Sequence, residues 1–204
     1  MRDTAIRKIF YNLESLGIKL GQKELLAAFA RDGSWQTSFM ASLVEKVTAW
    51  EIDENFEKDL RNNLPPNAEI IIGDSFRLIH EEKKKFDIIV FDNPMACFGK
   101  NREYSEHFDI IRNFKLVSKS EVVLIFNVKT RPFNYKKNLE WQKRREEFYK
   151  NKETSDLGLP FLKNFYIDLF LKEGYETAHL FIEKRPQETG LYQFCFIMGR
   201  INSV

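Results

Sequence analysis

Cysteine is almost missing from this chain. Cys97 and Cys195 stand far apart, and neither has a histidine or cysteine beside it at metal-ligand spacing. That excludes a disulfide scaffold, offers no zinc-type ligand set, and leaves two incidental thiols in a reducing compartment as the expectation. Histidine is scarce as well: His80, His107 and His179 lie on separate segments, and each reads as a surface or core residue instead of a catalytic base. No apolar run reaches the roughly 18 residues of a membrane-crossing helix. The opening Met1-Arg2-Asp3-Thr4 lacks the apolar stretch of a secretory leader. A cytoplasmic protein without membrane association is expected. An excess of charge of one sign is also absent, because 32 basic against 30 acidic side chains leave a net +2 that singles out no class of partner.

What is present is enough apolar material for one core. A chain of 204 residues buries about 70% of its unfolded surface, so residues 1–204 are expected to form a single domain. Nineteen phenylalanines fall mostly in the apolar runs and imply a core of large side chains. Charge is uneven along the chain: residues 129–152 hold nine Lys/Arg against three Asp/Glu, which leaves the remainder net acidic.

Residues 4–20 carry Ile6, Ile9, Phe10, Leu13, Leu16 and Ile18 at near-helical spacing, with Asp3 or Thr4 able to cap the start. A short apolar run, 25–30, is followed by the turn Arg31-Asp32-Gly33-Ser34. Residues 34–46 read as a helix with Trp35, Phe39, Leu43 and Val44 inward, and 47–52 as a strand that closes on Glu51-Ile52-Asp53. A charged helix over 53–62 stops at Asn63-Leu64-Pro65-Pro66. Residues 68–72 and 86–91 are continuous apolar strands, ending in Gly73-Asp74-Ser75-Phe76 and in Asp92-Asn93-Pro94. A fourth helix is predicted over 104–117 with Phe108, Ile111 and Phe114 inward, a fifth strand over 121–128, and a helix over 159–173 ending at Gly174. Two last strands, 175–183 and 191–201, are joined by a link too short for a crossover, so they must be antiparallel. Uniformly apolar strands separated by helices imply a parallel sheet covered on both faces.

Strand, glycine-containing turn, helix and a strand closed by an acid form the first half of a nucleotide-binding unit. Together with the carboxylates after the third and fourth strands and the terminal hairpin, this order over 25–201 resembles the class I S-adenosylmethionine-dependent methyltransferases. The resemblance implies an α/β, Rossmann-like fold with seven strands, the last inserted antiparallel, and S-adenosyl-L-methionine as cofactor. It implies that the turn Phe29-Ala30-Arg31-Asp32-Gly33-Ser34 cradles the methionine part, with Phe29 and Arg31 standing where two of the family's three glycines are. Glu51, with Ile52 beside it, would bind the ribose; Asp74, Ser75 and Phe76 would meet the adenine. Asp92 and Asn93 would face the methyl group and the acceptor, with Asp92 a candidate general base.

Each of these residues has a second, structural reading. Glu51 and Asp53 can cap the next helix, Asp74 can be a helix N-cap, and Asp92 can hold a turn. The segment 129–155 has two readings too: a basic, aromatic-interleaved grip on nucleic acid, or a charged helix whose Trp141, Phe148 and Tyr149 pack down as a lid. The function expected is methyl transfer to a small-molecule hydroxyl or amine. A nucleic-acid methyltransferase and a non-catalytic scaffold of the same fold stand as alternatives.

Overall fold

In a computed structural model that describes residues 4–92, 95, 97–98, 104–186 and 189–201, five parallel strands occupy one side of a seven-stranded sheet. They are β1 (Glu24–Ala28), β2 (Lys46–Glu51), β3 (Glu69–Ile72), β4 (Phe86–Phe91) and β7 (Ser118–Lys129). The two short strands between β4 and β7, β5 (Cys97–Phe98) and β6 (Tyr104–Ser105), pair with each other in a separate two-stranded sheet. The terminal hairpin β8 (Tyr175–Lys184) and β9 (Leu191–Arg200) completes the sheet in the order β3-β2-β1-β4-β7-β9-β8, with β9 antiparallel to both neighbours. The hairpin link turns at Gly190 with φ +71°, and a Cβ there would lie 2.7 Å from Thr130 Oγ1. Only glycine suits that approach.

Among the described residues six α-helices cover the sheet: α1 (Ala5–Ser15), α2 (Gln36–Ala41), α3 (Glu57–Asn63), α4 (Ser75–Glu81), α5 (Leu139–Tyr149) and α6 (Leu159–Lys172). The period-2 alternation of the strands divides the core in two. Ala27, Val90, Ile125 and Cys195 face one way, toward Ile6, Ile9, Phe10 and Leu13 of α1, Met40 of α2 and Leu60 of α3. Ala28, Phe91, Phe126, Phe194 and Phe196 face the other way, toward Ile79 of α4, Tyr149 of α5 and Leu162, Tyr166 and Phe170 of α6. Phe126 lies at the centre of the second layer, stacked on Phe196 at 5.9 Å and edge-on to Tyr166 at 4.9 Å. The many phenylalanines are thus largely core.

Three expectations need correction. Residues 104–117 are not one α-helix: β6 opens the stretch, and a 3-10 helix spans Ile111–Leu116. Phe108, Ile111 and Phe114 are buried as expected. The helix predicted over 34–46 shrinks to α2, and Trp35 lies outside it, 74% exposed instead of inward. Thr4 occupies the N-cap of α1, but its side chain makes no capping bond. Gly174 does follow α6 in the left-handed conformation, φ +85°. Among the described residues no helix is long and apolar enough to cross a membrane.

Candidate functional site

The carboxyl ends of β1, β2, β3 and β4 meet along one edge, where ligands bind in open parallel sheets. The turn after β1 has an unusual backbone. Phe29 (φ 62°), Arg31 (φ 52°) and Gly33 (φ 74°) are all left-handed, at alternating positions. Side-chain-bearing residues resist this conformation by about 1–2 kcal/mol each, so neighbouring groups must hold the turn. Glu51 does so: its Oε2 accepts from Arg31 N at 2.6 Å and its Oε1 from Asp53 N at 3.0 Å. Ala30 N donates to Trp50 O at 2.9 Å. The Glu51 side chain, only 7% exposed, therefore points into the turn. Each of its oxygens takes one protein donor and keeps lone pairs for another.

Asp32 shapes the same turn. Its Oδ1 accepts from Ser34 N at 3.1 Å and Ser34 Oγ at 2.9 Å; the Ser34 N–H is the main reason its carboxyl is held below the usual range. Gly33 is needed for a second reason besides its φ. A Cβ there would meet Leu60 Cδ2 at 3.1 Å and Leu64 Cγ at 3.3 Å. Gly33→Ala should therefore lower stability by at least about 1–2 kcal/mol, measurable by urea denaturation; an unchanged midpoint would mean that the turn tolerates right-handed backbone.

At the end of β3, Asp74 caps α4, accepting from Phe76 N at 2.9 Å. Ser75 is buried. Phe76 meets Phe29 edge-on at 5.8 Å, linking the turns after β1 and β3. Asp53 caps the 3-10 turn that follows β2, accepting from Asn55 N. Ile52 is 64% exposed at the mouth of the edge. The capping roles of Asp53 and Asp74 are thus present.

Asp92, one residue past β4, is enclosed by donors. Oδ1 accepts from Asn127 Nδ2 and from Arg185 Nη1 at 2.7 Å, and Oδ2 from Gln36 Nε2 at 2.9 Å. Arg185 Nη1 also donates to Asn127 Oδ1 at 3.2 Å. Gln36 Oε1 in turn accepts from Gln193 Nε2 at 2.8 Å. Because a carboxylate only accepts, Asp92 fixes the direction of both amides and leaves Gln193 Oε1 buried without a donor among the described residues. Asn93 lies outside the described residues.

Beyond this network the segment after β7 packs inward. Arg145 of α5 is fully buried. It donates from Nη1 to Glu106 Oε1, from Nη2 to Lys129 O at 3.0 Å and from Nε to Thr154 O at 3.1 Å. Trp141 Nε1 donates to the same Glu106 oxygen at 2.8 Å. Arg144 pairs with Asp109, and Phe148 stacks on Phe108 at 4.4 Å. Two cationic side chains of the segment, Arg144 and Arg145, are thus turned to the protein.

His107, next to Glu106, is fully buried and bonded through Nε2 to Tyr166, which meets Tyr149 at 2.9 Å. Burial first, then the nearby Arg145 charge, push its pKa down to about 3. In the unfolded chain the value is near 6.5. The stabilisation from keeping His107 neutral is therefore complete above about pH 6.5 and lost as pH falls toward 3. Unfolding free energy should drop by about 1.4 kcal/mol per pH unit in that window, and the slope should be clearly shallower in His107→Phe, where only depressed carboxyls such as Asp32 still contribute at the acid end. A slope equal in both proteins would assign the acid lability elsewhere.

Solved structures share this architecture over almost the whole chain. A protein from Pyrococcus horikoshii assigned as an RNA methyltransferase is 18% identical, with 97% of this chain and 84% of that one covered at a TM-score of 0.60. One from Galdieria sulphuraria assigned as a sarcosine dimethylglycine methyltransferase is 14% identical, covering 98% and 86% at 0.61. The chain has the class I methyltransferase fold. A third structure of this fold, the 1,6-didemethyltoxoflavin-N1-methyltransferase of Burkholderia thailandensis with bound S-adenosylhomocysteine, is 13% identical over 97% and 79% at 0.59. No protein-family model matches. Among curated sequences, the polyamine aminopropyltransferase of Clostridium kluyveri is 30% identical over 80 residues, 35% of this chain; the match spans 29% of that enzyme's length.

Within the class I fold, the edge built by the β1 turn, Glu51 and Asp74 is the one that the sequence singled out. Gln36, Asn127, Arg185 and Gln193 were missed. Gln36, Asn127 and Arg185 are marked by their convergence on Asp92 and Gln193 by its bond to Gln36, and partners 35 to 157 positions apart give no local signal.

Proposed function

We propose that this chain is an S-adenosylmethionine-dependent methyltransferase acting on a small-molecule hydroxyl or amine. The observation that carries the proposal is the β1 turn. It keeps the left-handed conformation at 29, 31 and 33 although two of these residues bear side chains, and Glu51 holds it there. The cofactor fits the groups present. Glu51 keeps lone pairs for the two ribose hydroxyls, Ile52 offers exposed apolar surface, Phe29 with Arg31, Asp32 and Gly33 forms the turn for the methionine part, and Asp74, Ser75 and Phe76 border the adenine side. When bound, S-adenosylmethionine supplies an activated methyl group, so this chain's task is alignment and accommodation of the acceptor's departing proton. Asp92 already accepts from three protein donors. We assign it to holding the acceptor side together instead of taking that proton, with Asn93 beside it.

Saturating S-adenosylhomocysteine, at about 100 times its Kd, should stabilise the protein by about 2.7 kcal/mol, a rise of roughly 5–10 °C in Tm. No shift would favour the scaffold alternative. The curated matches support a second reading, transfer of an aminopropyl group, for which decarboxylated S-adenosylmethionine with putrescine is the direct assay. The nucleic-acid alternative is narrowed, because Arg144 and Arg145, two of the segment's nine cations, pair with Asp109 and Glu106.

A further inference from the structure

One side of the Arg185 guanidinium is fixed and the other is unused. Nη1 donates to Asp92 Oδ1 and Asn127 Oδ1, whereas Nε and Nη2 meet no acceptor among the described residues. The side chain is 18% exposed and its Asp92 partner 27%, so the charge is largely desolvated yet still partly exposed. The Nε–Nη2 edge of a guanidinium matches the two oxygens of a carboxylate. Asp92 does not fill that edge, because its oxygens are taken by Nη1, Asn127 and Gln36. The same arrangement works against a cation: an ammonium group drawn to Asp92 would lie against the guanidinium that already neutralises it.

We propose that the acceptor carries a carboxylate that docks on the Nε–Nη2 edge of Arg185, and that Arg185 thereby selects hydroxy or amino acids over polyamine cations. The proposal deepens the methyltransferase reading and rests on it for the reaction, though not for the binding. Asp92 and Asn127 act as positioning residues that hold the fork in one orientation.

Calorimetric titration of the protein saturated with S-adenosylhomocysteine tests the proposal. Acetate and benzoate serve as carboxylate probes, acetamide and benzamide as uncharged counterparts of the same shape, and putrescine as the dication. At least one carboxylate should bind about tenfold or more tightly than its amide. That preference should vanish in Arg185→Gln and be reduced in Arg185→Lys, which keeps the charge without the fork. Arg185→Gln leaves Asp92 bonded to Gln36 and Asn127, and its melting curve reports whether it folds; should it not fold, the lysine variant decides. Equal binding of carboxylate and amide, no carboxylate binding, undiminished preference in the variants, or putrescine binding to the wild type would each overturn the proposal. Should S-adenosylhomocysteine itself fail to bind, the methyltransferase reading falls; the same titrations on the protein alone still judge Arg185.

Discussion

Arg145→Met will melt far below the wild type, and Glu106→Gln introduced alongside it will restore much of the loss. Arg145 is a charge with no exposure, and three protein oxygens define its place. Removing it strands the Glu106 carboxylate, whose Oε2 already lacks a partner among the described residues. Breaking one side of such a buried pair costs about 3–5 kcal/mol, which for a protein of this size is a fall of roughly 6–20 °C in Tm. The double variant removes both charges together and avoids the stranded carboxylate. Thermal melts of the wild type, both single variants and the double variant form a cycle whose coupling should be several kcal/mol. Additive losses would show that Arg145 acts through packing alone.

Glu51→Ala should abolish most of the stabilisation by S-adenosylhomocysteine. Its carboxylate is at once the proposed ribose acceptor and the support for Arg31 N in a conformation that arginine resists. Losing charge-assisted bonds to two backbone N–H groups costs about 1.5–3 kcal/mol of stability, so the basal melt should fall as well. Glu51→Gln retains an acceptor for only one of the two and should fall between. The decisive comparison is the ligand-induced shift, measured against each variant's own baseline. A full shift in Glu51→Ala would remove Glu51 from the cofactor site and leave it only as the brace of the turn.

The sheet was readable because buried parallel strands are continuous apolar runs: 68–72, 86–91 and 121–128 stand out from charged surroundings. The stretch 104–117 misled for a physical reason. Ile111, Phe114 and Val117 recur every three residues, which fits a 3-10 helix as well as one face of an α-helix. Trp35 was placed inward by extending the period of α2 one residue past its start. The acids of the proposed cofactor side, Glu51 and Asp74, stood out because a strand-ending acid is a local signal. The partners of Asp92 did not, since they come from α2, β7 and the link after β8, with Gln193 of β9 joining only through Gln36. Nor does the run Lys143-Arg144-Arg145 say which of its cations turns inward; that depends on Glu106, almost forty positions earlier.

The placement of β9 between β7 and β8 also shapes how the chain is made. Both flanking strands leave the ribosome before the strand that joins them, so for a time β7 and β8 each carry an unpaired backbone edge. Nascent protein in that interval is a natural client for chaperones, and slowing synthesis just before residue 191 should increase misassembly. The same order makes a split protein attractive: a peptide covering Leu191–Arg200, supplied separately, would have a slot with a neighbour on each side, bonded antiparallel to both.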